Sequence, residues 1–231
     1  MLFSSKVYVF CERNYMEVKM KEKNKENKFI SAVTTIGNWI ANFFFLHLLW
    51  ILYSLRGLII AGLLPSTAAV THVMYKWFNN KDDNFKIREE FNTAYKEHFK
   101  QANQIGYIVF IIFAMLYVDL RVSNVFIQSI FFHTLLLFIT FFVLSFSLFL
   151  FTVMVRYDFS LKNIFKQAFF VTLSVPIYSI ATSVGLLLVV SLMRNYIFLA
   201  FFFGISLLLL PVVWFTYTGV LKAEEKRDEE I

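Results

Sequence analysis

The sequence is poor in the residues that punctuate or cross-link soluble domains: one cysteine, Cys11, three prolines and seven glycines in 231 residues, with only 16% charged side chains. A single thiol builds neither a disulfide framework nor a thiolate metal site. So little Pro and Gly excludes collagen-like and disordered classes. No glycine-rich phosphate loop is present, so the chain does not hydrolyse ATP by itself. All sixteen Asp and Glu fall in loops or termini, the nearest to an apolar segment being Asp119 beside Arg121. A proton- or sodium-driven carrier normally uses an intramembrane carboxylate, and a Ser/His/Asp set needs a buried acid; both are missing. What the chain does have is apolar surface: 58% hydrophobic residues, thirty of them Phe, and a mean hydropathy of +0.63. That is a membrane protein. The net charge of +6 flanks the apolar runs, where it orients a membrane protein rather than binding nucleic acid.

A helix crosses the ~30 Å hydrocarbon core in about 20 residues. Runs of that scale lie at 36–53, 58–75, 102–118, 125–155, 168–192 and 196–220. The expected fold is all-α, six transmembrane helices over 36–220, with a basic segment over 1–35 and a charged, solvated tail over 221–231. Only Ser54 to Gly57 separate the first two runs, which leaves one helix plus a re-entrant segment as the alternative. Charge favours six spans. With both termini in the cytoplasm, 19 of 22 Lys and Arg lie inside and only Arg56, Arg121 and Arg194 outside; removing one of the first two spans gives 12 against 10. The first 19 residues lack the order of a signal peptide, and Met20, opening the basic run Lys21 to Lys28, is the expected natural start.

Several motifs carry alternatives. In the second run Gly57, Ala61, Gly62, Ser66 and Ala69 recur near helical spacing, and Pro65 removes a backbone donor, freeing a carbonyl near Ala61. Tight helix packing with a kink is the first reading, a broken helix lining a substrate path the second. Pro176 with Gly185, and Pro211, are further hints of unwinding. Asn42, His47 and His72 form a candidate polar path, although helix-to-helix hydrogen bonding is the commoner role of such groups. His47, His72 and His133 lie at different depths without HxxxH spacing, so no metal or other cofactor is expected. Over 84–101 the residues Ile87, Phe91, Tyr95 and Phe99 recur every four positions against a charged back, which predicts a cytoplasmic amphipathic helix. Phe91, Tyr95, Lys96, Phe99 and Lys100 are its candidate contacts with lipid or a partner. The tetrapeptide Phe99 to Ala102 returns 66 residues later as Phe165 to Ala168. A parallel duplication and a shared need for Lys and aromatics at a helix entry explain it equally.

The segment Asn42 to Trp50 (NFFFLHLLW), followed by SLRGLIIAGLLPSTAAV and then Lys76-Trp77, resembles the opening of the YesL-like family of bacterial integral membrane proteins. Phe91 to Tyr107 (FNTAYKEHFKQANQIGY) is similar to that family's next block. One departure is Arg56, where the resemblance implies Pro. The resemblance supplies no catalytic residues. It implies a non-enzymatic protein of the bacterial cytoplasmic membrane, often encoded with carbohydrate ABC importers, and hence an auxiliary role in sugar uptake. A small transporter or facilitator and a factor in cell-envelope glycopolymer assembly are the alternatives. The expected partners are membrane lipid, ABC permease subunits or a second copy of the chain.

Overall fold

The computed structural model describes residues 30–31, 33–79, 86–127, 129–157 and 159–229; the candidate start at Met20 and the basic run before the first helix lie outside them. The described residues are helical: α1 (Val33–Arg56), α2 (Ile60–Asn79), α3 (Ile87–Val122), α4 (Ile130–Arg156), α5 (Leu161–Ser174), α6 (Pro176–Asn195) and α7 (Ile197–Glu229). A π-helical turn, Ser123–Ile127, extends α3. Lys76, Arg121, Arg156 and Arg194 stand in the last turns of α2, α3, α4 and α6, where a cation faces the unpaired carbonyls. The chain divides into two compact units after Phe43, and the last thirteen residues of α1 belong to the larger one, 44–231.

Among the described residues five helices are long and apolar enough to cross a membrane: α1, α3 with its π-turn, α4, α6 and α7. The expected second span, α2, is not among them. Ten of its twenty residues are buried, including Gly62, Pro65, Ser66 and Ala69, so its small-residue face is covered by protein rather than lipid. The expected fifth span is broken. Pro176 pushes Val175 out of the helical region, to φ −131 and ψ 61, and starts α6 at its first turn.

The largest departure concerns α3. The segment expected as a separate amphipathic helix runs without a break into the third span as one 36-residue helix, about 54 Å long at 1.5 Å per residue. Its N-terminal part packs on α2: Asn103 meets Ala61, Gly106 meets Leu64, the His72 ring lies tilted 5.6 Å from that of His98 and Lys76 bonds Glu90. Tyr53 of α1 closes over the same half, its ring 5.0 Å from those of Phe91 and Tyr95. Phe91 is fully buried and Tyr95 nearly so. Those two are therefore internal packing residues, not contacts for lipid or a partner, because the α1–α2 hairpin already covers them.

The turn of that hairpin is tight. Leu58 and Ile59 both take positive φ, 58 and 62, a conformation that costs a side-chain-bearing residue about 1–2 kcal/mol. Gly57 and Gly62 make it possible: a Cβ on Gly62 would lie 2.5 Å from the Ser54 carbonyl and 2.9 Å from the Gly57 Cα. Arg56 lines one cavity with Arg88, and Tyr53 donates to Asn92 at 3.0 Å. The turn thus sits beside the start of α3, not across a membrane from it as the six-span reading requires.

The main core joins Ala68, Ala102, Ile105, Phe149, Val153, Ile164, Ala168 and Val220 from α2, α3, α4, α5 and α7. Both Ala102 and Ala168, the last residues of the repeated tetrapeptide, are fully buried in it. Elsewhere Gly185 receives Pro211 against its Cα, a Cβ there meeting the ring at 2.8 Å. These hints of unwinding are a packing contact between α6 and α7.

Candidate functional site

The polar side chains converge where α2, α4 and α7 end and α3 and α5 begin. Arg156, last residue of α4, bonds both carboxylate oxygens of Glu224 on α7, the Nε contact at 3.1 Å. It also donates to the Tyr75 hydroxyl, and Tyr157 donates to Glu224. The two charged side chains are about a fifth exposed, at 19% and 21%. This planar, two-point pairing is the strong form of the Arg–carboxylate bond. Burial, and then the bond to Glu224, pushes the Tyr157 hydroxyl up to about 12, so it is a proton donor throughout the physiological range.

Beside this pair is a cavity of about 530 Å³ lined by His72, Glu97, His98, Gln101, Arg156 and Tyr157. Lys76 Nζ lies 2.6 Å from Glu90, and His72 Nε2 is 3.7 Å from the same carboxylate. The rings of His72 and His98 are 5.6 Å apart. Gln101 donates to the Phe159 carbonyl at 2.8 Å, tying α3, near the middle of its length, to the segment before α5. The arrangement offers imidazoles, carboxylates and a guanidinium that is already neutralised. Among the described residues no group of three His, Cys, Asp or Glu is placed to hold a metal.

The sequence-derived candidates are dispersed. Asn42 is half-buried on α1. His47 is buried, Nε2 at 3.1 Å from the Phe201 carbonyl and Nδ1 at 3.4 Å from the Ile205 amide, so it ties α1 to α7. His72 belongs to the charged end, and His133 stands near the start of α4, some 23 residues, about 35 Å, from Arg156. His47 and His72 thus serve separate contacts and do not form one polar path. Lys96, Phe99 and Lys100 remain exposed on α3.

Pro65 does free a carbonyl, and the structure supplies its donor. Ala61, four residues earlier, would have accepted from residue 65; instead Asn103 Nδ2 on α3 donates to it at 3.0 Å. Asn103, His98, Tyr157 and Glu224 are the residues that sequence reading missed. Glu224 was assigned to a solvated tail, but α7 carries it back to Arg156.

Residues 43–120 match a family described as a protein of unknown function, DUF624. The chain is 26% identical over 195 residues to the protein named "Uncharacterized protein YesL" of Bacillus subtilis (strain 168), covering 83% of this chain and 91% of that one. It is 27% identical over 196 residues to "Uncharacterized protein YteU" of the same organism, covering 83% and 86%. No solved structure matches the chain significantly. The region matched by the family runs from the end of α1 to near the end of α3 and takes in nearly all of the two sequence blocks that carried the resemblance, so the chain is similar to the YesL-like family both in these blocks and over most of its length.

Proposed function

We propose that the protein is a non-enzymatic, multi-pass protein of the bacterial cytoplasmic membrane that serves as an auxiliary component of a carbohydrate ABC-type importer. The observation that carries the reading is the segregation of charge. His72, Lys76, Glu90, Arg156 and Glu224 gather at one end of the helices, while Phe110, Phe138, Leu187 and Phe201 leave the sides apolar and open. A fixed charged end above lipid-facing sides suits docking to other subunits, and a carrier needs a polar route instead. The carbohydrate part rests on the family resemblance, which implies proximity to sugar importers.

The charged end faces the cytoplasm in this reading. Residues 76–101, 156–167 and 221–231 hold 12 Lys and Arg, against Arg121 and Arg194 at the other ends of α3, α4, α6 and α7. That bias does not depend on α1 and α2. A cytoplasmic N-terminus, the sequence-based expectation, requires the α1–α2 hairpin to cross twice, and Arg56 beside Arg88 at its turn does not favour that crossing. In a Cys11→Ser background, Lys86→Cys should resist an impermeant thiol reagent in intact cells while Asn124→Cys reacts; the reverse pattern overturns the orientation. Affinity purification in mild detergent tests the role. Co-purifying permease subunits support it, whereas sugar uptake by the pure protein in vesicles makes it a transporter and a bound lipid-linked glycan makes it an envelope-assembly factor.

A further inference from the structure

A second cavity, of about 730 Å³, opens between α5 and the end of α7, with Asn163, Lys166, Gln167 and Phe170 on one wall and Glu224 and Arg227 on the other. It is built of two halves that differ in chemistry. One half is cationic: Lys166 and Arg227 are both exposed. Lys166 Nζ lies 6.0 Å from the Phe170 ring centre, its only specific contact among the described residues, and Arg227 reaches Asp228 only at 3.9 Å. The acid in the wall, Glu224, is spent on Arg156 and Tyr157, so the cavity presents a net positive charge with the amides of Asn163 and Gln167 beside it. The other half is apolar, and it continues out of the cavity along the exposed side chains Phe169, Phe170, Leu173 and Ile177.

We propose that this cavity binds an anionic phospholipid, its phosphodiester between Lys166 and Arg227 and its acyl chains along the Phe170 and Leu173 side of α5. Charge complementarity selects an anionic headgroup, and the apolar track leading away from the cations selects a lipid over a free phosphate compound. Basic pockets between helices on the cytoplasmic side are sites of this kind. The inference rests on the membrane reading of α4, α6 and α7; that reading is checked separately, since a protein released from membranes by alkaline carbonate without detergent would fail it before any lipid is added.

The test is delipidated protein in detergent micelles doped with phosphatidylglycerol or phosphatidylcholine, bound lipid being counted by native mass spectrometry. Retention of phosphatidylglycerol at least fivefold over phosphatidylcholine is expected, falling about tenfold in the Lys166→Gln/Arg227→Gln double variant. Lys162→Gln, on the same helix but outside the cavity lining, should retain it. Phe170→Ala should weaken phosphatidylglycerol while leaving the preference for anionic headgroups in place. Equal retention of the two lipids, or a double variant that binds like the wild type, overturns the proposal. Glycerol phosphate competing as well as the intact lipid would assign the cavity to a soluble phosphate ester and overturn it too. All the substituted side chains except Phe170 are exposed and charged, and thermal unfolding of each variant checks that a loss of lipid is not a loss of fold.

Discussion

The Asn103 side chain should act as a replacement for the hydrogen bond that Pro65 removes. The amide donates at 3.0 Å to the Ala61 carbonyl and is buried at 9% exposure, while its own Oδ1 has no protein partner. Asn103→Ala strands the Ala61 carbonyl, at a cost of about 1–2 kcal/mol; the polar bonds measured between membrane helices average about 0.6 and reach about 1.7. Pro65→Ala restores an N–H four residues after Ala61, so the helix can close that bond itself. In the Pro65→Ala background the cost of Asn103→Ala should therefore fall by about 1 kcal/mol. Asn103→Asp, which sets an acceptor against an acceptor, should be worse than Asn103→Ala. Reversible unfolding in detergent–SDS mixtures, run as a double-mutant cycle, reads all of these. Strict additivity, a coupling below about 0.3 kcal/mol, would refute the reasoning, as would an Asn103→Asp variant as stable as the wild type.

The remaining predictions concern other contacts. Gly62→Leu should destabilise by about 1–3 kcal/mol, because its Cβ meets backbone atoms that cannot turn aside; wild-type thermal behaviour in detergent would contradict this. Leu58→Gly should raise stability by up to about 1 kcal/mol by relieving a positive φ at an exposed site, read as a higher melting temperature. Glu224→Ala leaves the Arg156 guanidinium partly buried and unpaired, a loss of about 2 kcal/mol that a second change, Arg156→Leu, should partly recover; a double variant worse than both singles would sink that account. Phe91→Ala should cost about 3–5 kcal/mol in stability whether or not partners are present, whereas Phe99→Ala, at an exposed site, should cost under about 1.

The helical, membrane-type character was legible in the composition, and five of the six apolar runs fall on helices of membrane length, one of them broken by Pro176. The error over α3 has a definite cause. A stripe repeating every four residues advances about 400° per step on a helix of 3.6 residues per turn, so it winds about 40° round the helix each time. Ile87, Phe91, Tyr95 and Phe99 therefore do not share one face, and Phe99 emerges 36% exposed. The buried face follows Phe91, Tyr95, Ala102 and Ile105, a 3.6-residue course along which His98 also lies. Counting in heptads would have joined the amphipathic segment to the span after it. Glu224 was illegible for a different reason: a charged tail reads as solvated until the length of α7 is known, and only the fold sets it opposite Arg156.

The extent of the family match bears on which contacts define the fold. Residues 43–120 comprise the end of α1, the strained turn, α2 and all but the last turn of α3. Inside that stretch lie the Tyr53 cover over Phe91 and Tyr95, the Trp50–Thr67 bond, the Asn103–Ala61 replacement and the Lys76–Glu90 ion pair. Every one of these joins residues within the matched region, while His47, Tyr75 and Gln101 tie that region to α7, to the end of α4 and to the segment before α5. The Arg156–Glu224 pair and the cavity beside Lys166 lie wholly beyond it. The internal set fixes α1, α2 and α3 against one another, as satisfied polar groups do in a packing unit, while exposed charge is found both there, at Lys96 and Lys100, and on the later helices, at Lys166 and Arg227. The cavity proposed for a phospholipid differs from the exposed lysines of α3 in having its cations beside an open apolar track, Phe169, Phe170 and Leu173, and this, rather than exposed charge alone, is what singles out α5 and α7.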